Sequence, residues 1–295
     1  MKKFTQFLLL VIGLGAFSCS QAPSKENSNP TTTNSKETIR IISLSGFLTE
    51  LLYDLGQGDK IVGRDITSTF PAEVTELPSL GHISQLNAEG ILELNPNFIF
   101  VQEDQMAQSD IFENLKASGI QIIPIRTSET LSNSERAAKQ IAKYLNVSDA
   151  EISKIKENIL ADSLQLAKQL ASYDEEPSVL FIYARGAGRL MIGGQKTAVS
   201  SMIQKAGGRN AIQSFEGYKA LTPESLIEAQ PEVILMFSSG LASLDGKEGL
   251  EQITGIAQTK AFKENRIIAM DGHYLSSYGP RSGRAAMELA SKIHE

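Results

Sequence analysis

The sequence predicts an α/β fold in which two Rossmann-like lobes, each with a mainly parallel sheet, are joined by one long α-helix. Short runs of β-branched and aliphatic residues alternate with segments long enough for helices, which is the pattern of parallel α/β sheets. One segment recurs 135 residues further along the chain. A long helical stretch without Gly or Pro separates the two halves.

Composition limits the classes of function. The chain has 295 residues, of which 41% are hydrophobic and 21% charged, as expected for a globular protein with room for two domains. Its net charge of −6 lacks the basic excess that binding to a phosphate backbone requires, so no nucleic acid partner is expected. Three His and one Cys are too few for a disulfide framework or a Cys-rich zinc site.

Residues 1–18 predict a lipoprotein signal peptide. Lys2 and Lys3 precede an apolar run of about eleven residues, too short for a permanent membrane span. A small residue then precedes Cys19, as in bacterial lipoprotein signals, which implies cleavage before Cys19 and its acylation; the alternative is a buried free thiol. Residues 19–37 are mostly polar and predict a disordered tether. We therefore expect a periplasmic or cell-surface protein that is anchored to a membrane.

The N-terminal lobe is expected over residues 38–147. Its first helix is predicted from Phe47 to Leu55, where Gly56 supplies a C-cap. The apolar runs that predict its buried strands lie at residues 39–44, 60–63, 98–102 and 121–125.

The linking helix is predicted over residues 148–173. Ser148, followed three residues later by Glu151, forms a capping box. Apolar residues at helical spacing, among them Leu160 and Leu164, predict a buried stripe. Because a lone helix joining two lobes is stiff, we expect a cleft that flexes little.

An internal repeat predicts the C-terminal lobe over residues 174–295. Residues 89–101 align without gaps on residues 224–236, and each copy predicts a short helix, a Pro that ends it and a buried strand. Helix–Pro–strand is a common unit, so chance is the alternative to two equivalent lobes. The strands of this lobe are predicted at residues 178–183, 232–237 and 266–270.

Two such lobes behind a lipoprotein signal resemble the class III substrate-binding proteins of ABC importers for metal chelates, a class that includes proteins for cobalamin and ferric siderophores. From about Thr38 onward the chain is most similar to the haem-binding members. The blocks that carry this resemblance, in the family's order, are residues 63–71, 77–92, 186–194, 217–224, and 269–271 with 279–281. The resemblance implies a monomer that captures haem in the interlobe cleft and delivers it to a permease dimer driven by a cytoplasmic ATPase. Haem is then transported ligand rather than catalytic cofactor.

His82 is the candidate axial ligand of the haem iron. The family has a Tyr after Gly in a Leu-Pro-x-x-Gly-Tyr segment, and this chain has His82 there. The resemblance thus implies that a neutral imidazole nitrogen of His82 binds the iron, which is the one metal expected; His is a common axial ligand of haem. Without the resemblance, a lone His in a Pro- and Gly-containing loop is most often a surface or hydrogen-bonded residue.

Further cleft candidates lie at or just past predicted strand ends, where loops of open α/β sheets meet ligands. The cations suited to the two haem propionates are Arg64, Arg185, Arg189 and Arg281. The candidate second ligands or ring-stacking groups are His273, Tyr274 and Tyr278. The candidate apolar walls are Phe47, Phe70, Tyr183, Tyr218 and Tyr278. The alternative in each case is a solvated or paired Arg, or an aromatic side chain with a structural role.

Glu89 and Glu224 occupy the same position in the two repeats. An acid at the start of a helix is favoured by the helix dipole, which is a purely structural explanation. The resemblance adds that one exposed Glu on each lobe docks on Arg residues of the two permease subunits, because a twofold partner needs a matched pair.

No catalytic activity is expected. Gly186 and Gly188 open a dinucleotide-binding pattern, but Met191 stands where the third Gly or Ala belongs. The sequence has no Gly-x-Ser-x-Gly elbow, P-loop or His-Glu-x-x-His motif. The alternatives left open are a binding protein for cobalamin or a ferric siderophore and an extracytoplasmic lipoprotein hydrolase.

Overall fold

The computed structural model describes residues 38–107 and 109–295. The predicted signal peptide, Cys19 and the tether lie outside the described residues. Residues Ile39–Glu295 form one compact unit that contains two sheets. None of the helices in these ranges is both long enough and apolar enough to cross a bilayer.

The sheet of the N-terminal lobe has four parallel strands in the order β2–β1–β3–β4. These strands are β1 (Ile41–Ser43), β2 (Ile61–Arg64), β3 (Phe98–Gln102) and β4 (Gln121–Ile125). The helices of this lobe are α1 (Gly46–Asp54), α2 (Ala88–Glu93), α3 (Glu103–Met106), α4 (Ile111–Ala117) and α5 (Asn133–Ile141). Apolar clusters cover both faces of the sheet, which explains why its strands are apolar throughout. Gly56 follows α1 with φ 65°, as its predicted C-cap role requires.

The sheet of the C-terminal lobe has the order β10–β9–β5–β6–β8, with β7 paired to β5. Its strands are β5 (Ser178–Ala184), β6 (Leu190–Gly193), β7 (Arg209–Asn210), β8 (Tyr218–Ala220), β9 (Val233–Phe237) and β10 (Ile267–Met270). Its helices are α7 (Ala198–Lys205), α8 (Pro223–Ala229), α9 (Ser238–Ala242), α10 (Lys247–Glu251), α11 (Lys260–Lys263), α12 (Gly272–Ser276) and α13 (Ser282–His294). The sequence analysis missed β6, β7 and β8, which have only two to four residues each; β6 has an apolar run of three residues, and β7 and β8 have none.

The segment from Gly186 to Gly188 is the turn of the antiparallel β5–β6 hairpin. Gly186 adopts φ 73°, which favours glycine. A dinucleotide fingerprint instead joins a strand to a helix, so these glycines serve the turn.

The repeat found in the sequence is also structural. Helices α2 and α8 lie 135 residues apart in the chain, and so do strands β3 and β9. The residues that end the two helices, Asn95 and Gln230, both have left-handed backbones, with φ 46° and 38°. Strands β7, β5, β9 and β10 are parallel and follow the order of β2, β1, β3 and β4. Each lobe is therefore built on the same four-stranded parallel sheet.

The linking helix α6 spans Asp149–Leu170, and both hydrogen bonds of the predicted capping box are present. It packs against α5 of the N-terminal lobe and α13 of the C-terminal lobe. The predicted apolar stripe is wrong at Leu160 and Leu164, which are 57% and 58% exposed. The face of the helix that packs contains Ile155, Ile159 and Leu166, and the two exposed leucines lie on the opposite face. The assigned domain boundaries on either side of α6 stay predictions.

A buried ion pair fastens the two lobes together. Glu50 of α1 is 3% exposed, and its carboxylate accepts hydrogen bonds from Nε and Nη2 of Arg281, both at 2.8 Å. Nε2 of His273 lies 3.4 Å from the same carboxylate. The Arg281 guanidinium also stacks on Phe70 of the N-terminal lobe, 3.7 Å from its ring centroid, and on Tyr274 at 4.9 Å. Burial raises the pKa of Glu50, but the interactions with His273 and Arg281 outweigh it, so the pKa lies below its ordinary value of 4.5.

We expect Glu50→Gln to lower the free energy of unfolding by about 2 kcal/mol, because the buried guanidinium loses its charged partner. Since the depressed pKa of Glu50 stabilises the fold above the unfolded value, this loss should shrink as the pH falls through the folded pKa. Urea unfolding at several pH values measures both effects.

The matched control is Glu103→Gln, which breaks an exposed pair with Arg126 whose side chains are 51% and 80% exposed. It should cost less than about 1 kcal/mol. Equal losses in the two variants would contradict the role given to Glu50.

Candidate functional site

The carboxyl ends of the two sheets face each other and form a cleft. Gly46 follows β1, and a Cβ on it would lie 2.8 Å from the ring of His273, which follows β10. Past β4, the Glu129 carboxylate accepts a hydrogen bond from Ser201 of α7 at 2.6 Å. A cavity of about 490 Å³, on the scale of small-molecule sites, lies between these edges. Its lining residues are Gln102, Glu103, Asp104, Arg126, Thr127, Ser128 and Glu129 from one lobe and Ala198, Ser276, Ser277 and Tyr278 from the other.

His82 lies exposed on a loop beside the end of β2. The Ile66 amide donates to the Gly81 carbonyl at 2.9 Å, so the segment before His82 runs alongside the chain that continues from β2. Gly81 turns with φ 80°, and His82 then caps the 3₁₀ turn Ile83–Gln85. The segment thus places an exposed imidazole at the carboxyl edge of the N-terminal sheet.

The imidazole of His82 has one engaged nitrogen and one available nitrogen. Nδ1 accepts a hydrogen bond from the Ser84 backbone amide at 3.3 Å and lies 2.9 Å from the Ser84 hydroxyl, and among the described residues no group hydrogen-bonds Nε2. As a cap, Nδ1 carries the lone pair and Nε2 the proton. The other tautomer, with the proton on Nδ1 and donated to the Ser84 hydroxyl, gives Nε2 a lone pair suited to a metal. The described residues contain no group of three or more His, Cys, Asp and Glu side chains arranged to hold a metal ion.

An aromatic cluster covers the carboxyl edge of the C-terminal sheet. Tyr183 lies 6.3 Å from Tyr218 and 6.0 Å from Phe237 between ring centroids, and Phe237 lies 4.8 Å from Phe181. Tyr218 is 43% exposed. Partial burial, together with the nearby Glu129 and Tyr183, raises the pKa of Tyr218 despite its hydrogen bond with Thr197, so its phenol is neutral. The cluster is thus an uncharged aromatic wall with one exposed ring.

Two of the four candidate Arg side chains are free to bind an anion. Arg185 and Arg189 flank the β5–β6 turn, both are exposed, and neither forms an ion pair with a described residue. The guanidinium of Arg185 lies 5.5 Å from the Tyr183 ring centroid, at the end of the aromatic wall. Arg64 instead donates to the carbonyls of Asp65 and Thr75 and stabilises its own loop. Arg281 is committed to the buried pair with Glu50.

Comparison with known proteins identifies the architecture. The family described as "Periplasmic binding protein" matches residues 41–274. The chain belongs to this family. Proteins of this family are substrate-binding proteins associated with transport. The similarity to solved structures confirms the predicted class III fold.

One similar solved structure is the apo form of the periplasmic haem-binding protein RhuT from Roseiflexus sp. RS-1. It has a TM-score of 0.80 and 33% sequence identity, over 87% of this chain and 98% of that one. The ABC transporter substrate-binding lipoprotein YvrC of Bacillus subtilis (strain 168) is 27% identical over 270 residues, which are 90% of this chain and 83% of YvrC. The vitamin B12-binding protein of Vibrio parahaemolyticus (serotype O3:K6, strain RIMD 2210633) is 26% identical over 255 residues, 85% and 87% of the two chains.

Two predicted wall residues of this periplasmic binding protein are almost fully buried. Phe47 is 1% exposed in the core of the N-terminal lobe. Tyr278 is 2% exposed, packs in the core of the C-terminal lobe and donates to the Ala198 carbonyl at 3.0 Å. Burial and the nearby Glu129 raise the pKa of Tyr278, which disfavours a tyrosinate ligand. The prediction that Phe47 forms a wall of the cleft is wrong, because its side chain packs in the core of the lobe. Tyr278 contributes to the lining of the cavity, and its role as a ligand or wall stays a prediction.

His273, Tyr274 and Phe70 belong to the contact between the lobes. The His273 side chain is 11% exposed and faces Glu50, while Tyr274 and Phe70 lie against Arg281. These side chains contribute to the contact between the lobes, and Nε2 of His273 could bind iron only if its contact with Glu50 were broken. The roles of Tyr274 and Phe70 in the cleft stay predictions.

Sequence reasoning missed several residues that shape the cleft. Glu50 belongs to no recognisable motif, since it is a single acid among the apolar residues in the middle of α1. Glu129 lies in a loop after β4 that has no recognisable pattern. Phe237 had a usable signal, because the repeat places it at the same strand end as Gln102.

We expect Tyr278→Phe to lower the free energy of unfolding by about 1 kcal/mol through loss of the bond to Ala198, while binding in the cleft is unchanged. Tyr144→Phe is the control, since that side chain is 44% exposed and the change should alter stability by less than about 0.5 kcal/mol. Denaturant unfolding and ligand titration of both variants test this, and loss of binding in Tyr278→Phe would restore that residue as a ligand.

Proposed function

We propose that this chain is an extracytoplasmic lipoprotein that captures haem in its interlobe cleft and delivers it to an ABC permease. The observation that carries the proposal is the pairing of unlike groups across the cleft. One carboxyl edge bears an exposed His82 with an available Nε2, and the other bears an aromatic wall with two unpaired Arg side chains. The similarity to RhuT, a haem-binding protein by its description, supports the same ligand.

His82 binds the haem iron through Nε2 in this proposal. Iron on Nε2 places the ring proton on Nδ1, which gives up its bond from the Ser84 amide and donates instead to the Ser84 hydroxyl, 2.9 Å away. A neutral imidazole serves both ferric and ferrous haem, whereas a phenolate favours the ferric form.

The C-terminal lobe binds the porphyrin and its carboxylates. Tyr218, with Tyr183 and Phe237 behind it, offers an aromatic face to the flat ring. Arg185 and Arg189, at the end of this wall, bind the propionates through charge-assisted hydrogen bonds. Within the cavity, Glu103 is paired with Arg126, whereas Glu129 forms no ion pair with a described residue and so disfavours a propionate beside it.

The partners follow from the class of transporter. Glu89 and Glu224 are both exposed, each is the second residue of its helix, and we assign them to docking on the two permease subunits. A cytoplasmic ATPase drives import, and acylated Cys19 holds the protein at the membrane. The protein acts as a monomer, without a catalytic cofactor.

Cobalamin is the second candidate, because one relative of this chain is a vitamin B12-binding protein. Cobalamin carries amide side chains where haem carries two propionates. The Arg185 and Arg189 pair therefore discriminates between the two ligands.

A hemin titration followed by Soret absorbance tests the axial ligand. The wild-type protein should give a saturable, shifted band, and His82→Ala should move or abolish the band and weaken binding by at least about tenfold, the smallest loss typical of disturbing a metal ligand's surroundings. His294→Ala is the matched control, since that imidazole stacks on Tyr173 and bonds the Ala290 and Glu175 carbonyls. A band that is unchanged in His82→Ala would refute the assignment of the ligand.

Removal of both Arg185 and Arg189 tests the propionate site. The double Ala variant should bind hemin about threefold to tenfold more weakly but bind hemin dimethyl ester like the wild type, because the ester has no carboxylates. Tight cobalamin binding that ignores both substitutions, with no specific hemin binding, would favour the second candidate.

A further inference from the structure

Ile66 is an exposed aliphatic residue at the edge of the cleft. It lies two residues past β2, at the carboxyl end of that strand, and it is 57% exposed. The Ile66 amide donates to the carbonyl of Gly81, the residue that precedes His82, at 2.9 Å. Ile66 therefore lies beside the segment that presents the candidate axial ligand.

The pairing of these two segments extends the N-terminal sheet beyond β2. Arg64 forms a parallel bridge with Ser79, and the Leu80 amide donates to the Arg64 carbonyl at 2.8 Å. The bond from Ile66 to Gly81 continues this pairing by one more step. A Cβ added to Gly81 would meet no atom within 4 Å, so the space beside the end of the pairing is open.

A largely buried hydrogen-bond network holds the turn that carries Ile66. The carboxylate of Asp65, a residue that is 4% exposed, accepts from the hydroxyls of Thr67 at 2.5 Å and Ser68 at 2.6 Å. The Ser68 hydroxyl also lies 2.7 Å from that of Thr49, and both of these residues are 0% exposed. Because a satisfied buried network favours a single conformation, Ile66 is held in one place.

The same turn borders the C-terminal lobe. A Cβ on Gly46 would lie 2.5 Å from the Thr67 carbonyl oxygen and 2.8 Å from the His273 ring, so both groups approach the same point. Ile66 thus lies between His82 and the place where the lobes meet. A macrocycle bound through its central iron extends well past the imidazole that holds it, so it covers neighbouring side chains of the same edge.

Ile66 has an apolar counterpart on the other lobe. Single exposed apolar side chains are common on protein surfaces, but Ile66 and Tyr218 belong to opposite edges of one cleft. They are 57% and 43% exposed. An aliphatic group from one lobe and an aromatic ring from the other suit a flat macrocycle, whose two faces carry no polar groups.

We propose that Ile66 is a specificity-determining residue, which packs on the face of the porphyrin ring beside His82 and selects macrocycles with flat, unsubstituted faces. This inference rests on the proposed haem function and deepens it. The corrin ring of cobalamin carries amide side chains that project from both faces. A fixed aliphatic side chain cannot hydrogen-bond these amides and occupies the space that they need.

The test compares hemin with metal-free protoporphyrin IX, which has the same ring and propionates but no iron. Ile66→Ser should weaken the binding of both by the same factor, about fivefold, because the lost contact is with the ring. His82→Ala should weaken the binding of hemin only. Soret absorbance measures the first ligand and porphyrin fluorescence the second. Ile66→Ser should also reduce the preference for protoporphyrin IX over cyanocobalamin by at least the same factor.

Two further variants are controls. Ile227→Ser removes an aliphatic side chain that is 67% exposed on the outer face of α8, and it should bind both ligands like the wild type. Ile66→Leu keeps an apolar contact and should bind both within about twofold of the wild type. Ile66→Ser should unfold at the same urea concentration as the wild type, because the replaced side chain is exposed.

Unchanged binding of hemin and protoporphyrin IX in Ile66→Ser would overturn this inference and leave haem as the ligand. A loss for hemin alone would also overturn it, because Ile66 would then act through the iron and not through the ring. If the wild-type protein binds neither compound specifically, the proposed haem function itself fails. The wild-type titration therefore separates failure of the function from failure of the role given to Ile66.

Discussion

The cleft depends on one buried carboxylate. Glu50 lies at the back of the interface between the lobes, where it binds Arg281 and approaches His273, and Arg281 is held in turn between Phe70 and Tyr274. A buried charge is strongly destabilising when it loses its partners. The ion pair therefore disfavours any arrangement of the lobes that separates Glu50 from Arg281. The linking helix limits the distance between the lobes, and the contact of Glu50 with Arg281 holds their relative orientation.

The sequence was most informative where structure is periodic or repeated. The strands with continuous apolar runs, the capping box of α6 and the helix–Pro–strand repeat were all predictable, because buried parallel strands and helix caps leave a local mark. The short strands β7 and β8 left none, because pairing with neighbours rather than their own composition makes them strands.

Site residues were harder to predict, because a residue's neighbours in space decide its role. Tyr278 and Tyr218 are both aromatic residues in loop-like sequence, yet one is a core residue and the other is an exposed face of the cleft. Arg64 and Arg185 both lie at the carboxyl ends of strands. The guanidinium of Arg64 binds carbonyls of its own loop, whereas the guanidinium of Arg185 is exposed and unpaired. Position in the sequence was enough to predict that these residues lie near the cleft. Whether each one packs in the core, stabilises a loop or is free to bind a ligand depends on its packing and hydrogen bonds.

Strands β6 and β8, which are antiparallel to each other, break the likeness of the two lobes on one side of the second sheet. They bring Arg185, Arg189 and Tyr218 to a place for which the first lobe has no corresponding strands. A single small molecule needs only one aromatic face and one pair of cations, so the two edges of the cleft need not be alike. The outer faces of α2 and α8, in contrast, carry similar residues at equivalent positions. The internal symmetry of the molecule is therefore present on its outer helices and absent where the two lobes face each other.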